Sequence, residues 1–157
     1  MIVTFIFNVI NYRRTSKIRD DSVKLDEFKR MRTPVDLALG LLGECRLTLR
    51  SLEASGALVD AVRDTAGDIN REVSVAYNRL EHAFTRFDES EFALGCDWVQ
   101  SLQDPWEAFV AEMDRVYAPH KSLDQTKEVI RKAADQLGVF ISTVNNRLDK
   151  ELKRYTG

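Results

Sequence analysis

From Thr33 onward the apolar positions recur at alternating spacings of three and four, the pattern of helices that each bury one stripe. Thr33 and Pro34 read as a cap followed by a first-turn proline, and Val35, Ala38, Leu42, Cys45, Leu49 and Leu52 follow on one face. Gly40 and Gly43 are poor helix formers in that run, and their expected use is close approach of a neighbour. "EASGA" at 53–57 predicts the break, with Gly56 in the helix-stop position; a helix continuing through Gly56 is the other reading. A second helix carries Val62, Ala66, Ile69, Val73, Ala76, Leu80, Ala83 and Phe87 in the same rhythm.

Asp88 with Glu91 reads as a capping box opening a third helix, whose stripe runs through Phe92, Cys96, Val99 and Leu102. Inside it, "DPWE" at 104–107 is a helix-start signature, with Asp104 as cap and Pro105 in the first turn, so a kink or a restart is expected there. Trp106, Phe109, Met113 and Val116 continue the buried face. "APHKS" at 118–122 marks the last turn, and Ser122 with Gln125 caps a final helix with the stripe Ile130, Ala134, Leu137, Ile141, Val144, Leu148, Leu152 and Tyr155. Long helices joined by short turns predict an all-α fold, an elongated antiparallel (up-down) bundle of about four helices. Residues 33–157 form that bundle domain, and residues 1–32 form an N-terminal apolar-basic arm.

The arm opens "MIVTFIFNVI", an apolar run interrupted by Asn8, followed by Tyr12 and the cations Arg13, Arg14, Lys17 and Arg19. A spanning helix needs about 20 apolar residues, so this piece is too short to cross a bilayer alone. It lacks the basic start and small-residue cleavage site of a secretory signal. The order of apolar run, interfacial tyrosine and basic cluster matches the cytoplasmic end of a membrane segment, with Phe5, Phe7, Tyr12, Arg13 and Arg14 at the boundary. Three readings stay open. One is a membrane-proximal foot, peripheral or truncated. Another is a strand or short helix, built on Val3 to Phe7, that packs on the bundle or on another subunit. The third is a start placed too early, since residues 1–30 differ in composition from the Ala/Leu/Arg-rich remainder. "SVKLDEFKRM" at 22–31 reads as a short amphipathic connecting helix.

Composition adds two constraints. Hydrophobic residues make up 44% of the 157 and charged residues 31%, which is the balance of a globular chain and not of a disordered one. The net charge of −2 conceals a partition into basic ends and an acidic middle, in which every cation is an arginine. An acidic block of that length repels a phosphate backbone, so DNA is not an expected partner. Cys45 and Cys96 fall on buried stripes and form no CxxC, which reads as inert core thiols in a reducing cytoplasm.

Little in the chain carries chemistry. Zinc spacings, HExxH, GxGxxG and P-loop motifs are absent, and neither His82 nor His120 has a Glu three residues before it; no metal or cofactor is expected. Arg115 and His120 in "RVYAPH" form an Arg-x4-His pair that resembles the signature of HEPN-type ribonucleases, which are small helical-bundle domains. That resemblance implies a dimer in which Arg115 and His120 meet across the interface and cleave RNA, the only setting in which RNA is a partner. Read from the residues alone, Arg115 is a last-turn cation favoured by the helix dipole and His120 a turn residue.

Asp60, Asp64, Asp68 and Glu72 recur every four residues, a ladder of like charges that costs a few tenths of a kcal/mol per pair. It reads as a solvated face neutralised by Arg63 and Arg71, or as a dock for the basic arm or a basic partner. Tyr77, Trp98 and Phe140 sit at stripe edges, where aromatics are mostly peripheral core and are also where a partner helix would dock; Val139, which projects opposite its helix's stripe, is the better hint of an apolar contact outside the bundle. The favoured reading is a non-enzymatic interaction module (an adaptor, inhibitor or regulatory subunit) with a protein partner. Self-association is expected as a further property. So is contact of residues 1–19 with a membrane, which would place the protein in the cytoplasm, peripheral to or anchored at the inner membrane. The HEPN-like ribonuclease is the alternative.

Overall fold

The computed structural model describes residues 2–55, 59–88, 97–118 and 122–156. They form four helices: α1 (Ile2–Ser55), α2 (Val59–Asp88), α3 (Asp97–Tyr117) and α4 (Leu123–Thr156), with no strand among the described residues. Neighbours alternate around a ring. α1 packs on α2 and α4, and α3 packs on α4 and, more sparsely, on α2. Each neighbouring pair runs antiparallel, because residues early in one helix meet residues late in the next. Phe28 of α1 meets Phe87 of α2 and Tyr155 of α4, whereas Arg46, further along α1, meets Ala134. Between α2 and α3, Tyr77 stacks on Trp106, and the Tyr117 hydroxyl donates to the Ala66 carbonyl at 2.7 Å. The all-α up-down bundle read from the periodicity is the fold.

One continuous core runs down the ring axis. The stripes on α1, α2 and α4 are buried almost position for position: Val35, Leu42 and Leu49; Ala66, Ile69 and Leu80; Ile130, Leu137 and Leu148. Ser122 caps α4 as read, its Oγ accepting from the Gln125 amide at 3.2 Å. α1 is described to Ser55 and α2 from Val59, and the two run antiparallel; the predicted stop at Gly56 lies outside the described residues.

Two helix-start signatures are not helix starts. α1 runs unbroken through Pro34 and α3 through Pro105. A mid-helix proline forfeits one backbone hydrogen bond and crowds the preceding turn, at a cost of about 3 kcal/mol. In α1 that cost is offset by packing on both sides of it. Phe28 and Val35 lie seven residues apart on one face and both are fully buried, so only a continuous helix seats both. The helix therefore crosses position 32/33 without interruption, and "SVKLDEFKRM" is part of α1, not a separate connecting element. Asp88 closes α2, and the proposed capping partner Glu91 falls outside the described residues, as do Phe92 and Cys96.

The α1 glycines also differ from expectation. A Cβ at Gly40 or Gly43 would meet nothing within 4 Å, so among the described residues no neighbour approaches them that closely. The close approach occurs instead at Gly138 of α4, where a Cβ would lie 2.8 Å from the Arg46 guanidinium. Arg46 lies across this gap, its Nε donating to the Ala134 carbonyl at 3.2 Å. Gly40→Ala is therefore expected to raise stability by up to about 1 kcal/mol through helix propensity. Gly138→Ala gains less or loses, because Arg46 must leave its seat. Thermal melts of the two variants check this, and an equal gain in both would refute the role given to Arg46.

Candidate functional site

The core begins at Phe28, yet α1 begins at Ile2. Every residue from Ile10 to Asp20 is exposed, Tyr12 at 76% among them. At 1.5 Å per residue the stretch from Ile10 to Phe28 extends about 27 Å from the packed bundle. Arg13, Arg14, Lys17 and Arg19 all lie on this arm, and no acid precedes Asp20 in the chain. Phe5 and Phe7 are within α1, and their side chains are outside the described residues. No helix is long and apolar enough to cross a membrane, among the described residues.

A second feature was not visible in the stripes. The outward side of the α1/α2 seam is a groove made of two hollows of about 350 and 310 Å³ that share Arg79. One end is lined by Leu41, Glu44, Glu72 and Val75, the other by Leu37, Ala38, His82 and Arg86. Leu37 is 68% exposed and Leu47, on the same helix, 67%. The signal was present in the chain, since Leu37 is a large apolar residue that misses the α1 stripe, but a stripe search passes over what lies between stripes. Cys45 opens onto the acidic end, its Sγ 3.9 Å from Glu72 Oε2. Burial and then the Glu72 charge push the thiol up to about 11. It is a poor nucleophile at neutral pH. Site-resolved mass spectrometry after iodoacetamide treatment at pH 7.5 is expected to show Cys45 unmodified in the native protein and modified after unfolding. The sign for stability follows. The unfolded thiol ionises before the folded one, so this contribution is present below pH 9 and is lost as pH rises toward 11.

Of the stripe-edge aromatics whose side chains are described, Phe140 is buried and Tyr77 half-buried. Phe140 is 1% exposed, and Tyr77 stacks on Trp106 with ring centroids 4.0 Å apart and an interplanar angle of 15°. Trp106 also lies 5.0 Å from Phe140, so three helices are pinned by one aromatic cluster. Phe140 is thus the peripheral core that a stripe-edge aromatic most often is, and with Tyr77, Leu80 and Phe84 it lines a hollow of about 340 Å³. Tyr77 is half-buried and already stacked, and the Trp98 side chain is outside the described residues. Val139 is 50% exposed, facing outward as its register implies.

The acidic ladder is exposed in this chain where it is described. Asp64, Asp68 and Glu72 are exposed, and Arg71 pairs with Asp68 at 3.9 Å. Asp60 lies in the first turns of α2, its side chain outside the described residues. Arg115 is exposed and bonded to Glu112 Oε1 at 2.9 Å. His120 falls outside the described residues. Among the described residues, no group of three or more His, Cys, Asp or Glu is placed to hold a metal ion.

No protein-family model matches the chain, and no curated protein or solved structure matches it either.

Proposed function

We propose that the protein is a non-enzymatic interaction module, an adaptor, inhibitor or regulatory subunit whose contact element is the exposed N-terminal part of α1. The observation that carries this reading is the unpacked run from Ile10 to Asp20 on a helix whose later turns are embedded in the core. An isolated helix is marginal in water, and most helical stability in proteins comes from packing an amphipathic face. An unpacked helical arm is therefore an element that gains most when something covers it. The rigid connection matters too, because a partner gripping the arm is coupled directly to the Phe28 end of the bundle.

The absence of acid before Asp20, together with the four cations that follow an apolar run, also suits an anionic cytoplasmic membrane face. Such a contact would be peripheral.

Amide hydrogen exchange resolved along α1 tests the reading. The full chain is measured dilute, concentrated, and with vesicles containing phosphatidylserine. Fast exchange at residues 10–20 in the dilute protein, slowed in either other condition, is the expected result. Equal and fast exchange in all three removes the arm from the function.

A further inference from the structure

Resting on the reading of the arm as a contact element, we propose that its partner is a second copy of this chain, with the arm of each protomer lying in the α1/α2 groove of the other. Charge order is the first argument. Along the arm, cations come first (Arg13, Arg14, Lys17, Arg19) and the acids Asp20 and Asp21 follow. Along the groove, read in the direction of α2, Glu72 comes first, with Arg71 and, on α1, Glu44 at the same end, and the cations Arg79 and Arg86 follow. Laid parallel to α2, and hence antiparallel to the partner's α1, the arm places each block against its opposite. The reverse polarity sets cations on cations. Charge therefore selects one orientation, and it is the one a two-fold axis can repeat in both copies.

Spacing is the second argument. Arg14 to Asp21 is seven residues, and so is Glu72 to Arg79. Setting Arg14 beside Glu72 therefore brings Asp21 beside Arg79 in the same register. That register carries Ile18, exposed on the arm, to the level of exposed Val75 and the apolar floor at Leu41. At 100° per residue, Ile10, Arg14, Lys17 and Ile18 fall within one sector of about 100°, so one arm face carries both the apolar and the cationic groups.

Reach is the third argument. The groove extends from Pro34 to Cys45 along α1, about 17 Å at helical rise, and the stretch of α1 from Ile10 to Phe28, about 27 Å, is longer than that. The two bundles then lie end to end, each bracing the other's arm. The open surface over Gly40, where a Cβ would meet nothing within 4 Å among the described residues, becomes part of the covered face.

The test is sedimentation velocity on the full chain. The wild type is expected to dimerise, less at 0.5 M than at about 0.05 M salt, because the matched charges are screened. Arg14→Glu or Glu72→Arg alone should weaken the dimer about tenfold, and the two together should restore it. Asp21→Arg with Arg79→Asp is the second reciprocal pair, read in the same way, should either first variant fold poorly. A chain monomeric at about 0.1 mM, or a double variant that stays as weak as the singles, overturns the proposal. A monomer whose arm is nonetheless protected on anionic vesicles overturns it too, while leaving the interaction-module reading intact. Fast exchange of the arm under every condition would end both.

Discussion

Phe28→Ala is expected to lower the unfolding free energy by about 3–5 kcal/mol, a large share of the 5–15 kcal/mol typical of a domain. The ring is fully buried, edge-on to Phe87 with centroids 5.6 Å apart and 6.0 Å from Tyr155. It is the residue at which the arm becomes the bundle. Removing it leaves a void between the ends of α2 and α4 and loosens the first packed turn of α1, the turn that offsets the cost of Pro34. Urea denaturation monitored by circular dichroism measures the loss. Ile10→Ala, on the exposed arm, should change stability by less than about 0.5 kcal/mol in the same assay. A small effect at Phe28, or a large one at Ile10, would show that the arm and the bundle meet elsewhere along α1. The same logic sets where a shortened chain can begin. One that starts at residue 33 lacks Phe28, and with it the contact to Phe87 and Tyr155.

The second large effect is expected at adjacent residues of α4. Phe140→Ala should cost about 3–5 kcal/mol, because the ring packs against the stacked Tyr77–Trp106 pair and its loss leaves a cavity bordered by three helices. Val139→Ala, one position earlier and half exposed, should fall within about 0.5 kcal/mol. The Trp106 environment offers a second readout, since its stacked partner Tyr77 loses its backing in the Phe140 variant. A near-neutral Phe140→Ala would mean that the aromatic cluster is peripheral to stability. That result would return Phe140 to the list of partner-facing residues.

The contrast between Val139 and Phe140 shows where a linear pattern is informative. A three-four stripe locates a helix axis and the centre of its buried face, and Leu137, Val144 and Leu148 sit where the pattern put them. It does not give the width of that face. Phe140 lies at the stripe's margin and is buried because α3 delivers Trp106 beside it, and no property of α4 alone contains that fact. Leu37, Leu41 and Val75 show the converse. Each is off the centre of its own stripe, and only the pairing of α1 with α2 gathers them into one groove between an acidic and a basic end.

The proline signatures carry a related lesson. Thr33–Pro34 and Asp104–Pro105 have the local chemistry of helix starts, and in isolated peptides that chemistry would decide the matter. Here the buried residues on both sides of Pro34 outweigh the local preference. Propensities differ by fractions of a kcal/mol to about 3 kcal/mol, whereas burying one large apolar side chain contributes about 1.5–3 kcal/mol. Two such side chains on one face are enough to carry a helix through a proline.

By itself, the order of residues determined the helical class, the number of packed helices, the Ser122 cap and the apolar-then-basic character of the arm. All of these follow from short-range periodicity, capping chemistry and composition, which act within a few residues. Tertiary structure alone decided that the arm and α1 are one helix, that Phe140 is interior, that Arg46 rests on Gly138 and that the α1/α2 groove exists. Each of these depends on which helix lies beside which, and so on contacts between residues that are distant in the chain.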